Sequence, residues 1–152
     1  MRLTRFSDIG LRVLMYLAKD TRTSPVTVAE VAQQFDVPHN HLVKVVGTLA
    51  KMGWIDAMRG RNGGIRLAAD PAVLGVGSIL RVLEGDDEVI DCAGIGCRLS
   101  GDCRVRHVLR EGVEAFYKAL DAYTLAEVVS GNTGEQIVRM HKRFLAEKLE
   151  AA

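Results

Sequence analysis

Residues 27–69, TVAEVAQQFDVPHNHLVKVVGTLAKMGWIDAMRGRNGGIRLAA, contain the pattern that decides the fold. Thr27 followed by Glu30 is a capping-box pattern, which predicts the start of a short helix. Pro38 suits the first turn of a second helix, where its missing N–H has no intrahelical partner to lose. Gly53 suits the C-terminal cap of that helix. The apolar residues of the second helix recur at the spacing of one helix face. They are Leu42, Val45, Val46 and Leu49.

Two short runs after this helix predict a β-hairpin. Residues 54–58 (WIDAM) and 65–69 (IRLAA) are strand-like, and the connection RGRNGG contains Asn62-Gly63-Gly64, which can supply the positive φ angles of a tight turn. A largely apolar helix over residues 3–20 precedes them. Helix, short helix, turn, helix and hairpin is the order of a winged helix-turn-helix. The sequence therefore predicts a mainly α fold with a winged helix-turn-helix DNA-binding domain over residues 1–70.

The rest of the chain divides into two further segments. Residues 71–130 contain a short helix (VGSILRVLEG), a cysteine-containing loop and a long helical pattern from about Cys103 to Tyr123. Residues 131–152 predict an amphipathic C-terminal tail helix. We expect the loop and the long helix to form the second functional unit.

Charge is unevenly distributed along the chain. Residues 1–68 carry ten Lys/Arg and five Asp/Glu, whereas residues 69–152 carry ten and fourteen, although the net charge is only +1. A basic first half indicates that this half faces a polyanion. On charge alone, chance variation along a nearly neutral chain is the alternative.

Candidate DNA contacts lie at a helix N-terminus and at the hairpin tip. Free N–H groups and short polar side chains at a helix N-terminus can reach phosphates and base edges in the major groove. A slim basic hairpin suits insertion beside the minor groove. The candidates are His39, Asn40, His41 and Lys44 on the helix, and Arg59 and Arg61 at the tip. The alternative is that they are solvated histidines and ordinary turn residues.

All three cysteines of the chain lie in residues 91–103, DCAGIGCRLSGDC. Zinc sites usually show cysteines two to four residues apart and in pairs, whereas the spacing here is C-x4-C-x5-C. An iron–sulfur cluster tolerates this spacing, and three thiolates leave a fourth ligand position to fill. The alternatives are zinc bound by the three cysteines and His107, thiols that sense redox state through disulfides, and inert thiols.

Other classes of protein fit the sequence less well. Charged residues interrupt the first apolar positions, so we expect no signal peptide, and no apolar run approaches the roughly 20 residues that cross a bilayer. We therefore expect a soluble cytoplasmic protein that does not contact membranes. A cluster-containing redox enzyme is a rival, but the sequence has no nucleotide-binding loop and no nucleophile–base pair, so we expect no enzyme.

From Met1 to about Val129 the chain resembles the Rrf-type winged-helix regulators that carry iron–sulfur clusters, the group that includes IscR and NsrR. The resemblance rests on MRLTRFSDIGLRVLMYLA, VPHNHLVKVVGTL, GWIDAMRGRNGGIRLA, ILRVLEG and the cysteine loop. Within the group, the cysteine spacing, the NHLVK helix, the wing and FYKALDAYTLAEVV are most similar to the NsrR-type repressors that sense nitric oxide.

This resemblance implies a homodimer formed largely by the long helix, with a cluster near the base of that helix. The expected cofactor is [4Fe–4S] in preference to [2Fe–2S], and the expected partner is double-stranded operator DNA. Nitrosylation of the cluster by nitric oxide would release the operator. The rivals are an IscR- or RirA-like sensor of iron or cluster supply, and a zinc-stabilised winged-helix interaction module.

The resemblance also implies site residues. Cys92, Cys97 and Cys103 would bind the cluster, and the partner's Asp8 would complete it. Arg12, one turn after Asp8, would be the coupling residue, which steadies the Asp8 carboxylate or pairs with it once it is released. From the residues alone, Asp8 has a simpler role as a carboxylate that balances the helix dipole, and His107 is the local competitor for the fourth position.

Overall fold

A computed structural model of the chain describes residues 2–85 and 89–152. The described residues form a mainly helical fold with a small antiparallel wing. In chain order the elements are α1 (Arg5–Ala18), α2 (Val28–Phe35), α3 (His39–Lys51), β1 (Ile55–Met58), β2 (Gly64–Leu67), α4 (Val76–Glu84), α5 (Arg104–Leu120), α6 (Leu125–Val128) and α7 (Gly131–Glu150). No helix among these residues combines the length and the apolar character that crossing a membrane requires.

The predicted winged helix-turn-helix is confirmed. Asp36 is the C-cap of α2, and its left-handed φ of 49° turns the chain toward α3. The N–H of Val37 donates to the carbonyl of Ala32 (3.0 Å). The predicted apolar face of α3 is buried against α1 and α2. The opposite face of α3 is therefore left for solvent or a ligand.

Two local expectations in this unit are corrected. Pro38 is the N-cap of α3 and not a residue of its first turn. Thr27 caps α2 by accepting a hydrogen bond from the N–H of Glu30 (3.1 Å), but the Glu30 carboxylate does not return to Thr27. It accepts two hydrogen bonds from Arg22 instead (2.8 and 3.2 Å). Only half of the predicted capping box forms, because a buried guanidinium offers stronger, charge-assisted bonds.

The wing is a two-stranded hairpin whose turn differs in detail from the prediction. β1 pairs with β2 in the register Ile55↔Leu67 to Met58↔Gly64, which leaves residues 59–63 as a loop. Of the three predicted residues only Gly64, the first residue of β2, has a positive φ (159°), whereas Asn62 and Gly63 have negative φ. Within the loop the positive φ is at Gly60 (106°), close to β1. Ile65 of β2 exchanges backbone hydrogen bonds with Val26 (2.7 and 3.1 Å), which ties the wing to the α1–α2 loop.

One hydrophobic core joins α1 to α4 with α6 and α7. It contains Leu14, Leu42, Ile79, Leu125 and Ile137, which come from α1, α3, α4, α6 and α7. Residues from all three sequence-predicted segments thus share one core, and the segment boundaries at 70 and 130 stay a prediction.

α5 is packed differently from the other long helices. It lies along α4, yet none of its residues is buried. Val105 and Val108 are more than half exposed. α5 also begins one residue later and ends three residues earlier than predicted, because Cys103 is its N-cap and Asp121 its C-cap. Its apolar face is open in the single chain.

The close approach of α4 to α5 gives a stability prediction. A Cβ on the buried Gly77 would overlap the carbonyl oxygen of Tyr117 and the carboxylate of Asp121. Gly77→Ala is therefore expected to lower the free energy of unfolding by about 1–3 kcal/mol, measured by urea denaturation at fixed protein concentration. Gly47→Ala is the matched control, since a Cβ there meets nothing within 4 Å, and it should stabilise α3 by about 0.5–1 kcal/mol. Equal stability of the Gly77→Ala variant and the wild type would contradict the close approach.

Candidate DNA interface and candidate metal centre

The predicted DNA-contacting residues of α3 lie together on one exposed surface. His39, Asn40 and His41 form the first turn, and Lys44 follows one turn later; all four side chains are exposed. Pro38 offers no side-chain cap to the first-turn N–H groups. Apart from the N–H of His41, which donates to Asn40 Oδ1 (3.0 Å) and to the carbonyl of Pro38, this helix start suits an anion.

Arg59 and Arg61 are exposed on the wing loop. The wing is held to the end of α3 by backbone hydrogen bonds at Trp54. Its N–H donates to the carbonyl of Leu49 (3.1 Å), and its carbonyl accepts from Ala68 and Ala69 (2.9 and 3.1 Å). These bonds fix the wing, and with it Arg59 and Arg61, relative to the C-terminal end of α3.

Val43 is a candidate contact that the sequence reasoning missed. It is 51% exposed on α3, between His41 and Lys44, and an apolar side chain there could contact a thymine methyl group. The signal was present in the sequence, because Val43 falls outside the i, i+3, i+4 face that is buried.

The cysteine loop is closed by short-range hydrogen bonds. Asp91 Oδ1 accepts from the N–H of Gly94 (2.6 Å), and the N–H of Cys97 donates to the carbonyl of Cys92 (3.1 Å). Gly96, with a φ of 61°, makes the turn between them. Cys92 is buried and Cys97 is half-buried. The loop thus brings the backbones of two of the three cysteines together.

Cys103 lies at the N-terminus of α5. It is the N-cap, and its side chain does not cap the first-turn N–H groups. Arg104 and Arg106 occupy that first turn, and Arg106 Nη1 donates to the carbonyl of Ser100 in the loop (3.3 Å). The N-terminus of α5 and these two arginines place positive charge beside Cys103.

The donor set fits an iron–sulfur cluster in its chemistry but is incomplete in one chain. Three soft thiolates are the ligands that iron–sulfur clusters prefer, and none of the three, all in the described range, is held in a disulfide. Within residues 2–85 and 89–152, no three His, Cys, Asp or Glu side chains converge as a single metal ion requires. A cluster would need the loop to close around it and a fourth ligand from elsewhere.

The two candidates for the fourth ligand differ in their surroundings. His107 is 62% exposed, with Nε2 3.9 Å from Asp102 Oδ1. Asp8 is 51% exposed on α1 and accepts a hydrogen bond from Arg12 Nε (2.9 Å). The structure does not bring Asp8 together with the cysteines of the same chain. Its carboxylate is available only to a second molecule or to solvent.

Glu84 is a further residue that the sequence reasoning missed. Its Oε1 accepts hydrogen bonds from the N–H and the hydroxyl of Thr4 (2.8 and 3.1 Å). Thr4 is the N-cap of α1, and Glu84 ends α4 just before the cysteine loop. No local sequence pattern pairs residues this far apart. The contact joins the helix that carries Asp8 to the helix that leads into the loop.

Comparison with known proteins identifies the family of this chain. The family model described as Rrf2, an iron-dependent transcriptional regulator, matches residues 3–131. The chain belongs to the Rrf2 family. The match covers the winged helix, the cysteine loop and α5, and it ends where α7 begins. An Rrf2 chain is a transcriptional regulator and not an enzyme, as the sequence predicted.

Individual relatives of this Rrf2 chain support the same assignment. The HTH-type transcriptional repressor NsrR of Streptomyces coelicolor is 42% identical over 146 residues, which cover 94% of this chain and 98% of that protein. The HTH-type transcriptional regulator NsrR of Bacillus licheniformis is 36% identical over 132 residues, with 85% and 92% covered. Among solved structures, T. potens IscR superposes with a TM-score of 0.66 at 24% identity, over 85% of this chain and 86% of that chain. The family resemblance drawn from the sequence is confirmed, and the structural likeness confirms the fold.

Proposed function

We propose that this Rrf2 regulator is a dimeric repressor that binds operator DNA and senses nitric oxide through an iron–sulfur cluster, with [4Fe–4S] preferred to [2Fe–2S]. The observation that carries the proposal is the position of all three thiols. They lie in one loop that ends at the N-terminus of α5, the helix whose apolar face is open. The likeness to two proteins named NsrR supports it. Because the partner is chromosomal DNA, we expect the protein to act in the cytoplasm.

Binding of double-stranded DNA is assigned to α3 and the wing. His39, Asn40, His41 and Lys44 would contact the major groove, and Arg59 and Arg61 the neighbouring backbone or minor groove. The exposure of these side chains and the absence of a side-chain cap on α3 support this assignment. A dimer would present two such helices about 34 Å apart to two half-sites.

Dimerisation is assigned to α5. Val105 and Val108 on α5 and Leu99 in the cysteine loop are exposed together with Ile95. Exposed large apolar side chains mark an interface when a partner covers them, and we propose a second copy as that partner. A second copy covering α5 would also cover the loop, and the dimer would bring the partner's Asp8 within reach of it.

The cluster would be held by Cys92, Cys97, Cys103 and the partner's Asp8. When bound, it supplies iron as the place where nitric oxide reacts. A carboxylate is a harder ligand than a thiolate and suits iron in a thiolate site less well, so Asp8 is the ligand expected to leave first. Arg12, already 2.9 Å from the Asp8 carboxylate, would keep that carboxylate oriented for the cluster and pair with it after release.

Release of Asp8 would reach the DNA-binding surface through α1. Ile9 and Val13, close to Asp8 in sequence, are buried in the core that also holds Leu42 and Leu49 of α3. Glu84 ties the start of α1 to the end of α4 through Thr4. A change in how α1 is held at the partner's loop would therefore alter the position of α3, and dimer spacing makes operator affinity sensitive to that position.

Asp8→Ala tests this coupling. The cluster should still assemble on the three cysteines, but its reaction with nitric oxide, followed by visible absorption, should change. In the wild type, nitric oxide should weaken binding to a duplex selected from a random pool by about 5–150-fold; in the variant this factor should fall to about 1. Glu150→Ala, an exposed carboxylate at the chain end, is the control and should behave as wild type.

Two outcomes would contradict the proposal, the first for the role of Asp8 and the second for nitric oxide as the signal. Wild-type behaviour of Asp8→Ala together with cluster loss in His107→Ala would assign the fourth position to His107. DNA binding that tracks iron supply but not nitric oxide would favour a sensor of iron or cluster status instead. Mobility-shift assays with and without nitric oxide, and with and without iron, distinguish these two signals.

A further inference from the structure

α7 is fastened to the DNA-binding half by a buried polar cluster that the proposed function does not use. Its members are Tyr16 of α1, Asp20 and Arg22 of the α1–α2 loop, Glu30 of α2 and His141 of α7. Glu30 is 2% exposed and His141 6% exposed. Burial of so many polar groups requires that each finds a partner.

The hydrogen bonds of the cluster define the state of His141. Its Nε2 lies 2.9 Å from the backbone carbonyl oxygen of Tyr16, which can only accept, so Nε2 carries a proton. Its Nδ1 lies 3.2 Å from Arg22 Nη2, which can only donate, so Nδ1 accepts. A ring with one donating and one accepting nitrogen is neutral. The same ring stacks on Tyr16 with its centroid 3.8 Å away.

Arg22 organises the rest of the cluster around this neutral ring. Its guanidinium donates to Asp20 Oδ1 (2.6 Å) and to both oxygens of Glu30 (2.8 and 3.2 Å). Tyr16 also donates its hydroxyl proton to Glu30 Oε1 (2.7 Å). Arg66 of β2 donates to the Arg22 carbonyl (3.4 Å), so the wing strand touches the same loop. The cluster therefore connects α7 to α1, α2 and the wing.

We infer that His141 is a pH-sensitive latch, which holds α7 on α1 and α2 while its ring is neutral and lets α7 go when the ring is protonated. Protonation of Nδ1 would turn the acceptor of the Arg22 hydrogen bond into a second donor, so two N–H groups would face each other. The inference concerns α7, which lies beyond the span that the family model matches, and it does not depend on the cysteines.

The charges facing His141 act in opposite directions. Burial lowers the pKa of His141 below its ordinary 6.5, and Arg22 lowers it further, whereas the bond to the Tyr16 carbonyl, Asp20 and Glu30 raise it. Asp20 and Glu30 lie 3.9 and 3.8 Å from Nδ1, but both are already paired with the nearer guanidinium. The net direction is therefore a lowered pKa.

A lowered pKa makes docking of α7 weaken in acid. Above pH 6.5 the ring is neutral whether α7 is docked or not, and docking does not depend on pH. Below that value the released ring takes up a proton that the docked ring resists. Each further unit of acidification then raises the equilibrium constant for release of α7 by up to about tenfold. This continues until the pH falls below the lower pKa of the docked ring.

Two measurements on the full chain, prepared without air, test the latch. In a proton NMR titration, His141 should titrate below its ordinary pKa of 6.5. In hydrogen exchange corrected for intrinsic rates, amides of α7 should lose up to about tenfold in protection between pH 7.5 and about 5.5, while those of α4 should not.

Variants separate titration from packing. His141→Gln can keep the hydrogen bond to the Tyr16 carbonyl but cannot titrate, so α7 should stay protected at both pH values. His141→Ala should lower the protection of α7 at both pH values, although Ile137 still packs in the core. Lys142→Gln, an exposed residue of α7 next to His141, is the matched control and should retain the wild-type pH response. A His141 pKa at or above 6.5, or the same acid response in His141→Gln as in wild type, would overturn the inference.

Discussion

Replacing any one of Cys92, Cys97 and Cys103 by alanine is expected to give colourless protein with little iron and little acid-labile sulfide. The reason is that the three thiols are all the cysteines of the chain. Loss of one leaves two thiolates for four iron corners, and the chain has no other thiol to replace it. Iron, sulfide and visible absorption should be measured on protein purified without air.

Ser100→Ala is the matched control, because Ser100 is an exposed residue of the same loop whose side chain is not assigned to the cluster. It should retain wild-type iron content, which would show that disturbance of the loop alone does not expel the metal. Full iron retention in all three cysteine variants would refute the assignment. Stoichiometric zinc in the wild-type protein would instead revive the zinc-stabilised interaction module.

Loss of basic side chains from α3 or the wing is expected to weaken DNA binding broadly. Lys44→Ala, Arg59→Ala and Arg61→Ala should each reduce the slope of log affinity against log salt by about 1, because each removes one phosphate neutralisation. Asn40→Ala should cost about 1–3 kcal/mol and relax base preference at one position. Mobility shifts over a range of salt concentrations measure both effects.

Lys51→Ala is the control for these variants. Lys51 is also exposed on α3, but in its last turn, far from the N-terminal surface. Its replacement should leave affinity and salt slope nearly unchanged. Unchanged binding in all the α3 and wing variants, or an equal loss in Lys51→Ala, would argue against the proposed docking of the winged helix.

The fold was predictable where local patterns determine it. The spacing of Leu42, Val45, Val46 and Leu49 identified the buried face of α3, and the glycine-rich segment after Met58 identified the wing. The partner of Glu30 was not predictable in this way. A capping box needs only residues three apart, whereas the observed partner, Arg22, is in turn bonded to His141, 119 residues further along the chain. Such long-range contacts leave no periodic signal in one sequence.

The donors of the candidate site stay a prediction, and its geometry could not be predicted from the sequence. The isolation of three cysteines in one loop indicated thiolate ligation, and the structure adds that the loop ends at the N-terminus of α5. In our proposal the fourth ligand comes from a second copy of the chain, and neither the spacing of the cysteines nor a single chain determines such a ligand. The pairing of Asp8 with Arg12 could be read from their i, i+4 spacing, whereas the link between Thr4 and Glu84 could not.

The most direct test of the central claim is a nitric oxide titration of anaerobically purified protein, with absorption and DNA binding followed in the same samples. We predict visible absorption that indicates an iron–sulfur cluster, loss of that absorption on addition of nitric oxide, and release of DNA in step with it. Protein that contains no iron, or that keeps its DNA while the absorption is lost, would contradict the account.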